Sequence, residues 1–160
     1  MVEFDKNFQF QRLTPAWAGR CAEFDARQFQ LAAWSESIWR TELARTDCVY
    51  LALLTAPLPH QSLGTICAVG GVGCGVEAEI LTLAVAKHLR RKGIGRALLC
   101  ELIECARAQG AAEIFLEVRA RDHGAQALYH DAGFVAVGYR KKYYPDDDAL
   151  VMKKVFHHYD

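Results

Sequence analysis

Arg90-Arg91-Lys92-Gly93-Ile94-Gly95-Arg96-Ala97-Leu98-Leu99 is the stretch whose reading decides the fold. An apolar, strand-like segment that ends at Leu83-Ala84-Val85 passes through a basic connection into two glycines and then into a long amphipathic helix. A backbone arranged this way can hold a pyrophosphate. Gly93 and Gly95 let the chain approach an anion with no Cβ in the way. The free N–H groups of the new helix's first turn, with their partial positive charge, point at the ligand. Arg91, Lys92 and Arg96 add mobile positive charge. A dinucleotide fingerprint would need a third glycine where Leu98 stands, and a nucleoside triphosphate loop would need Gly-Lys-Ser/Thr after its spacer; neither is present. A glycine pair before a helix is also an ordinary strand-to-helix turn, so the meaning of the loop depends on its surroundings.

Outward from the loop, strands and helices alternate. Phe8, Phe10 and Arg12-Leu13 suggest a short first strand, after which Thr14 caps a helix with Pro15 at its first position and Trp17, Cys21 and Phe24 at helical spacing. Ser35 caps a second helix through Ile38, Trp39 and Leu43, and residues 49–54 follow as a buried strand that the turn from Pro57 to Gln61 ends. Strands around residues 65–69 and 78–85 come next, separated by a turn region at Gly70-Gly71-Val72-Gly73-Cys74-Gly75. The long helix presents Ile94, Leu98, Leu102 and Cys105 on one stripe and stops at Gly110. Residues 114–118 form a strand, 125–131 a short helix ended by Gly133, and two closing strands run near 134–143 and 149–155. The pattern predicts a mixed α/β domain (α+β) with a largely antiparallel sheet flanked by helices, without repeats or linkers.

Bulk properties bound the function without choosing it. The chain has 160 residues, 52% of them hydrophobic, enough for one good core, and residues 1–160 read as a single domain. Nineteen basic residues balance nineteen acidic ones, so no overall field would gather nucleic acid or an anionic membrane. Cys21, Cys48, Cys67, Cys74, Cys100 and Cys105 show no Cys-x-x-Cys pair or zinc-finger spacing, and read as small core residues in a reducing cytosol. No signal-like or membrane-spanning apolar run is visible, so the expectation is a soluble, cytoplasmic protein.

A few positions carry candidate chemistry. Alternation sends Ile114, Leu116 and Val118 to one face of their strand and Phe115, Glu117 and Arg119 to the other. A glutamate in such a strand is either paired, with Arg119 the nearest partner on that face, or turned to a wet cleft. Tyr129 reads as an amphipathic tyrosine with its ring in the core, and Asp122 as a helix cap. Tyr143-Tyr144-Pro145 with Asp146-Asp147-Asp148 reads as an aromatic strand end and a solvated acidic turn. His157 and His158 read as a loose tail rather than a metal pair; no metal is expected.

The form Arg, two spacers, Gly, spacer, Gly from Arg90 to Gly95 resembles the acyl-CoA signature of the GCN5-related N-acetyltransferases. Ile114-Phe115-Leu116-Glu117-Val118-Arg119-Ala120, Ala127-Leu128-Tyr129, Ala132-Gly133-Phe134 and the segment from Arg140 to Pro145 ahead of Asp148-Ala149-Leu150-Val151-Met152 follow in the order of one branch of that superfamily. Its members acetylate the N-terminal alanine of ribosomal protein S18. The resemblance is close from Glu77 to Met152 and looser before, where Ala33-Trp34-Ser35-Glu36 is the main echo.

The resemblance implies the acetyltransferase fold, acetyl-CoA as co-substrate and a protein N-terminal peptide as acceptor. It places the pyrophosphate on Arg90, Arg91, Lys92, Gly93, Ile94, Gly95 and Arg96. It gives the backbone of Leu83, Ala84 and Val85 to the pantetheine arm and to polarising the thioester. It makes Glu117 the general base, Tyr129 the general acid toward the departing thiolate, and Tyr143 and Tyr144 the grip on the peptide. A carboxylate base suits an α-amine, which near pKa ~7.8 is about a tenth neutral at neutral pH, better than a lysine near ~10.4. Two departures stand out. Ala86-Lys87-His88 replaces the usual Asp-Pro turn, and Asp122 stands where relatives carry an asparagine on the pantetheine arm; an ionised aspartate accepts but cannot donate. Acetylation of lysine or of a small-molecule amine, a non-catalytic acyl-CoA sensor and a subunit whose specificity a partner sets remain open from the sequence.

Overall fold

Val49, Leu51 and Leu53 pack to one side of their strand, Cys48, Tyr50, Ala52 and Leu54 to the other, and all are buried, which makes this a central strand covered on both faces. It is β2 (Cys48–Thr55) of the computed structural model, which describes residues 7–157. The other strands are β1 (Phe8–Arg12), β3 (Ile66–Gly73), β4 (Glu77–Val85), β5 (Glu113–Arg119), β6 (Val135–Tyr144) and β7 (Asp147–Val155). They form one sheet in the order β1-β2-β3-β4-β5-β7-β6. Every neighbouring pair is antiparallel except β4 and β5, which run parallel.

Helices cover the two faces. α1 (Ala18–Phe29) and α2 (Glu36–Leu43) bury Cys21, Phe24, Trp39 and Leu43 against one face, with Tyr50 and Val69 of the sheet. α3 (Ile94–Ala108) lays Ile94, Leu98, Leu99, Leu102, Ile103 and Ala106 on the other, where α4 (His123–Asp131) adds Tyr129. Each fully buried leucine or isoleucine of α3 is worth about 1.5–3 kcal/mol, so α3 is held by its stripe rather than by propensity.

The expected order of strands and helices holds, with four corrections of detail. Gly70 to Gly73 do not form a turn; they complete β3, and the chain turns after them. A Cβ on Gly70 would lie 2.6 Å from Leu102 Cδ1, and one on Gly71 would lie 2.3 Å from the Tyr50 ring, so these glycines let α3 and Tyr50 sit close on the strand. Pro15 opens a 3-10 turn (Pro15–Trp17) ahead of α1, but the Thr14 side chain makes no capping bond, whereas Ser35 Oγ accepts from Ile38 N at 3.3 Å. Ile38 lies on the outer face of α2 and is exposed. Of the cysteines, Cys21, Cys48 and Cys67 are buried, Cys74 and Cys105 are half-buried, and Cys100 is exposed; all are free thiols. His157 is exposed beyond β7, and His158 lies outside the described residues. No helix among the described residues is long and apolar enough to cross a membrane.

Candidate active site

The parallel pair at the middle of the sheet is short. β4 and β5 match only at Glu77 with Glu113, Ala78 with Ile114 and Glu79 with Phe115. Just beyond, the register of β4 against β3 shifts: Val72 faces Ile80 and Gly71 faces Thr82, leaving Leu81 as a bulge. A bulge bends its strand. β4 then runs on to Val85 and β5 to Arg119 without pairing each other, and the sheet opens between them. Leu83, Ala84 and Val85 therefore keep β3 on one side and present an unpaired strand edge on the other.

The glycine loop begins where this edge ends. A 3-10 turn (Lys87–Leu89) leads to Arg90, and Arg91 and Gly93 both take positive φ, +64° and +81°. α3 starts at Ile94, between the two glycines, and its first backbone bond runs from Ala97 N to Gly93 O at 3.1 Å. The N–H groups of the first turn thus have no partner within the helix. Arg91, Lys92 and Arg96 are exposed and form no ion pair among the described residues. Arg90 instead turns back, its Nε donating to Val85 O at 3.1 Å. A Cβ on Gly95 would meet Val85 Cγ2 at 3.4 Å and Leu128 Cδ2 at 3.6 Å, ordinary contact, so the protein's own packing does not require glycine there. Bare helix donors, unpaired cations and the space a Cβ would fill suit a phosphate-bearing ligand, and so the chemistry of coenzyme A.

Glu117 stands on the opposite lip, on β5. Its partner is not Arg119: Glu117 Oε1 lies 3.3 Å from Arg140 Nε on β6, and the Glu117 side chain is 14% exposed. Arg119 is drawn away to Asp146 and stacks over Tyr144, its guanidinium carbon 4.3 Å from the ring centre. The β6–β7 hairpin explains the exchange. Lys142 takes a positive φ, the register breaks between Arg140 and Tyr144, and Asp148 Oδ1 accepts Lys142 N at 2.8 Å. That bulge sets Tyr143 and Tyr144 edge to face, 5.0 Å apart, with the Tyr144 hydroxyl donating to Glu117 O at 3.4 Å. Tyr143 is half exposed. The acidic run is less solvated than its composition suggests: Asp147 and Asp148 belong to β7, and the Asp147 carboxyl, 8% exposed, accepts from Arg121 N at 3.0 Å.

Glu79 joins this group. Its pKa is raised, first by loss of water and then by the nearby charge of Glu117, with Arg140 and Arg45 pulling it back. Sequence reasoning missed Glu79 and Arg140. Glu77 and Glu79 alternate with Ala78 and Ile80 like any solvated strand face, and only the cross-strand register brings Glu79 to Glu117.

Tyr129 is buried in α4, edge-on to Phe134 at 6.0 Å. Burial raises its pKa well above that of a free phenol, and the charges of Asp122 and Tyr144 add to the effect. It stays protonated, the state a proton donor needs. Asp122 caps α4, its Oδ1 accepting from Ala125 N at 3.0 Å.

A sheet that parts between two parallel strands, with an anion cradle at the end of one and a carboxylate on the other, defines the class of the acyl-CoA-dependent N-acyltransferases. The chain belongs to the acetyltransferase (GNAT) family, whose model matches residues 16–134. It is 34% identical over 150 residues, 89% of each chain, to the N-alpha-acetyltransferase RimI of Mycobacterium tuberculosis. An uncharacterized protein of Mycobacterium leprae is 36% identical over 145 residues, covering 89% of this chain but 39% of that longer protein. The crystal structure of the ribosomal-protein-S18-alanine N-acetyltransferase from Escherichia coli superposes with a TM-score of 0.79 at 27% identity, over 92% of this chain and 93% of the other.

Proposed function

We propose that this chain transfers acetyl from acetyl-CoA to the α-amine of a protein N-terminus, with an alanine-initiated peptide like that of ribosomal protein S18 as the preferred acceptor. The observation that carries the reading is the parting of β4 and β5 directly after Glu79 and Phe115, which gives two reactants one opening to meet in. The similar proteins of Mycobacterium tuberculosis and Escherichia coli, named for N-alpha- and S18-alanine acetylation, favour this acceptor class.

In this reading coenzyme A supplies the activated acetyl thioester. Its pyrophosphate rests on the N–H groups of Ile94, Gly95 and Arg96 under Arg91 and Lys92, and its pantetheine arm lies along the free edge of Leu83 to Val85. A backbone N–H of that edge polarises the thioester carbonyl. Arg90 releases Val85 O to the arm. The peptide enters from the β6–β7 hairpin along Tyr143 and Tyr144, which line its path. Glu117 takes a proton from the attacking amine, and Tyr129 donates one to the departing thiolate. Asp122, committed to its cap, meets the arm only as an acceptor.

The test is thiol release from acetyl-CoA with alanine-initiated S18-like peptides, the products located by mass spectrometry. Acetylation at the α-amine, and none on an N-blocked peptide that keeps a lysine, supports the reading. Transfer to lysine or to small amines alone moves the chain to another acceptor class, and cofactor binding without turnover makes it an acyl-CoA sensor.

A further inference from the structure

Two carboxyls, not one, stand where β4 and β5 part. The parallel register sets Glu79 opposite Phe115, and Glu117, two residues further along β5, faces the same side of the sheet. Side by side on that face, the two carboxyls lie close enough that Glu117, after loss of water, raises the pKa of Glu79. Ionised carboxylates only accept, so a hydrogen bond between the two forms only when one of them carries a proton. Arg140 Nε, 3.3 Å from Glu117 Oε1, favours the charge on Glu117 and leaves the proton to Glu79. The Tyr144 hydroxyl, on the Glu117 backbone carbonyl, fixes the strand beneath. Among the described residues, the groups on this side are Arg140 and Tyr144 from β6, Arg45 from beyond α2 and Lys153 of β7, whose ammonium lies 5.6 Å from the Phe115 ring and pairs with Glu113.

We propose that Glu79 is a positioning residue for acetyl transfer: it donates the pair's single proton to Glu117 and, with Arg140, holds that carboxylate ionised and aimed into the opening. The inference rests on the acetyl-transfer reading. In the step itself, the N–H bond of the acceptor ammonium breaks, an O–H bond forms on Glu117, and the nitrogen lone pair is freed for attack. The pair then holds two protons and returns one to solvent through Glu79, the more exposed member.

Two measurements on the full chain test it. The first follows the glutamate carboxyl carbons by NMR against pH, without substrate. The expected result is that Glu79 titrates above the ordinary glutamate range in the wild type and returns toward it in Glu117→Gln. Two independent, ordinary titrations overturn the pair. The second compares variants on the alanine peptide. Glu79→Ala lowers kcat by about tenfold or more, the worth of a hydrogen bond to a charged group, with the KM for acetyl-CoA unchanged. Glu79→Gln, which can still donate to Glu117, recovers most of that loss. Equal kcat in Glu79→Ala and wild type, or equal losses in the two variants, overturns the role. A wild type that acetylates no amine removes the transfer reading, and the titration then decides the pair by itself.

Discussion

At the residue scale, the proposed chemistry depends on charges held in place by neighbours on other strands. Glu117→Gln keeps the shape and the contact with Arg140 but cannot accept a proton. A loss of about a hundredfold or more in kcat with the alanine peptide is expected, and steady-state assays at fixed acetyl-CoA measure it. Tyr129→Phe, which keeps the ring on Phe134 and removes the donor, lowers kcat in the same assay. Asp25 offers a pH test away from this chemistry. It is buried on α1 and accepts from Trp34 N at 2.9 Å, and burial raises its pKa above 3.8. The folded state thus favours the protonated form. Its contribution is fully present below the unfolded value and is lost as pH rises through the higher folded value. Asp25→Asn should therefore gain stability relative to wild type as pH rises from about 4, measured by denaturant unfolding. Alternation along residues 114–118 showed which way Glu117 points. Its partner was illegible, because Arg119 is near in sequence whereas Arg140 is near only through the β5–β7–β6 ladder.

At the element scale, glycines separate packing from binding. Gly70→Ala forces a Cβ into Leu102 on α3 and should cost about 1–3 kcal/mol, readable as a lower denaturant midpoint. Gly95→Ala meets only ordinary contacts within the protein. It should leave the unfolding midpoint within about 0.5 kcal/mol of wild type while weakening acetyl-CoA binding in calorimetry, because the methyl group fills the cradle. The glycine-rich run at 70–75 looked like a turn because glycine is the usual turn residue. Its use as thin strand, under a helix on one face and a tyrosine on the other, is visible only once α3 and β2 are in place. The reading of Gly93 to Leu99 needed no such help, since a positive φ before a helix start is a local property.

At the scale of the whole molecule, one sheet links β1 to β6, and helices on both faces share it. We read residues 1–160 as one domain, which predicts a single cooperative unfolding transition by circular dichroism and by tryptophan fluorescence. The proposed cofactor site joins β4 to α3, so bound acetyl-CoA should stabilise that whole unit, by about 2.7 kcal/mol at a hundred times its Kd. The same scan with free coenzyme A separates the contribution of the phosphates from that of the acetyl group. By itself the sequence determined the order of elements, the two-faced β2, the helix that opens at the glycine loop and the strand that carries Glu117. Those follow from periodicity and backbone preference, which act over a few residues. Only the tertiary structure decided that β4 and β5 part after three matched positions. It also joined Glu79, Glu117 and Arg140 into one group and drew Arg119 away to Asp146. Those depend on register between strands far apart in the chain, and no local pattern encodes it.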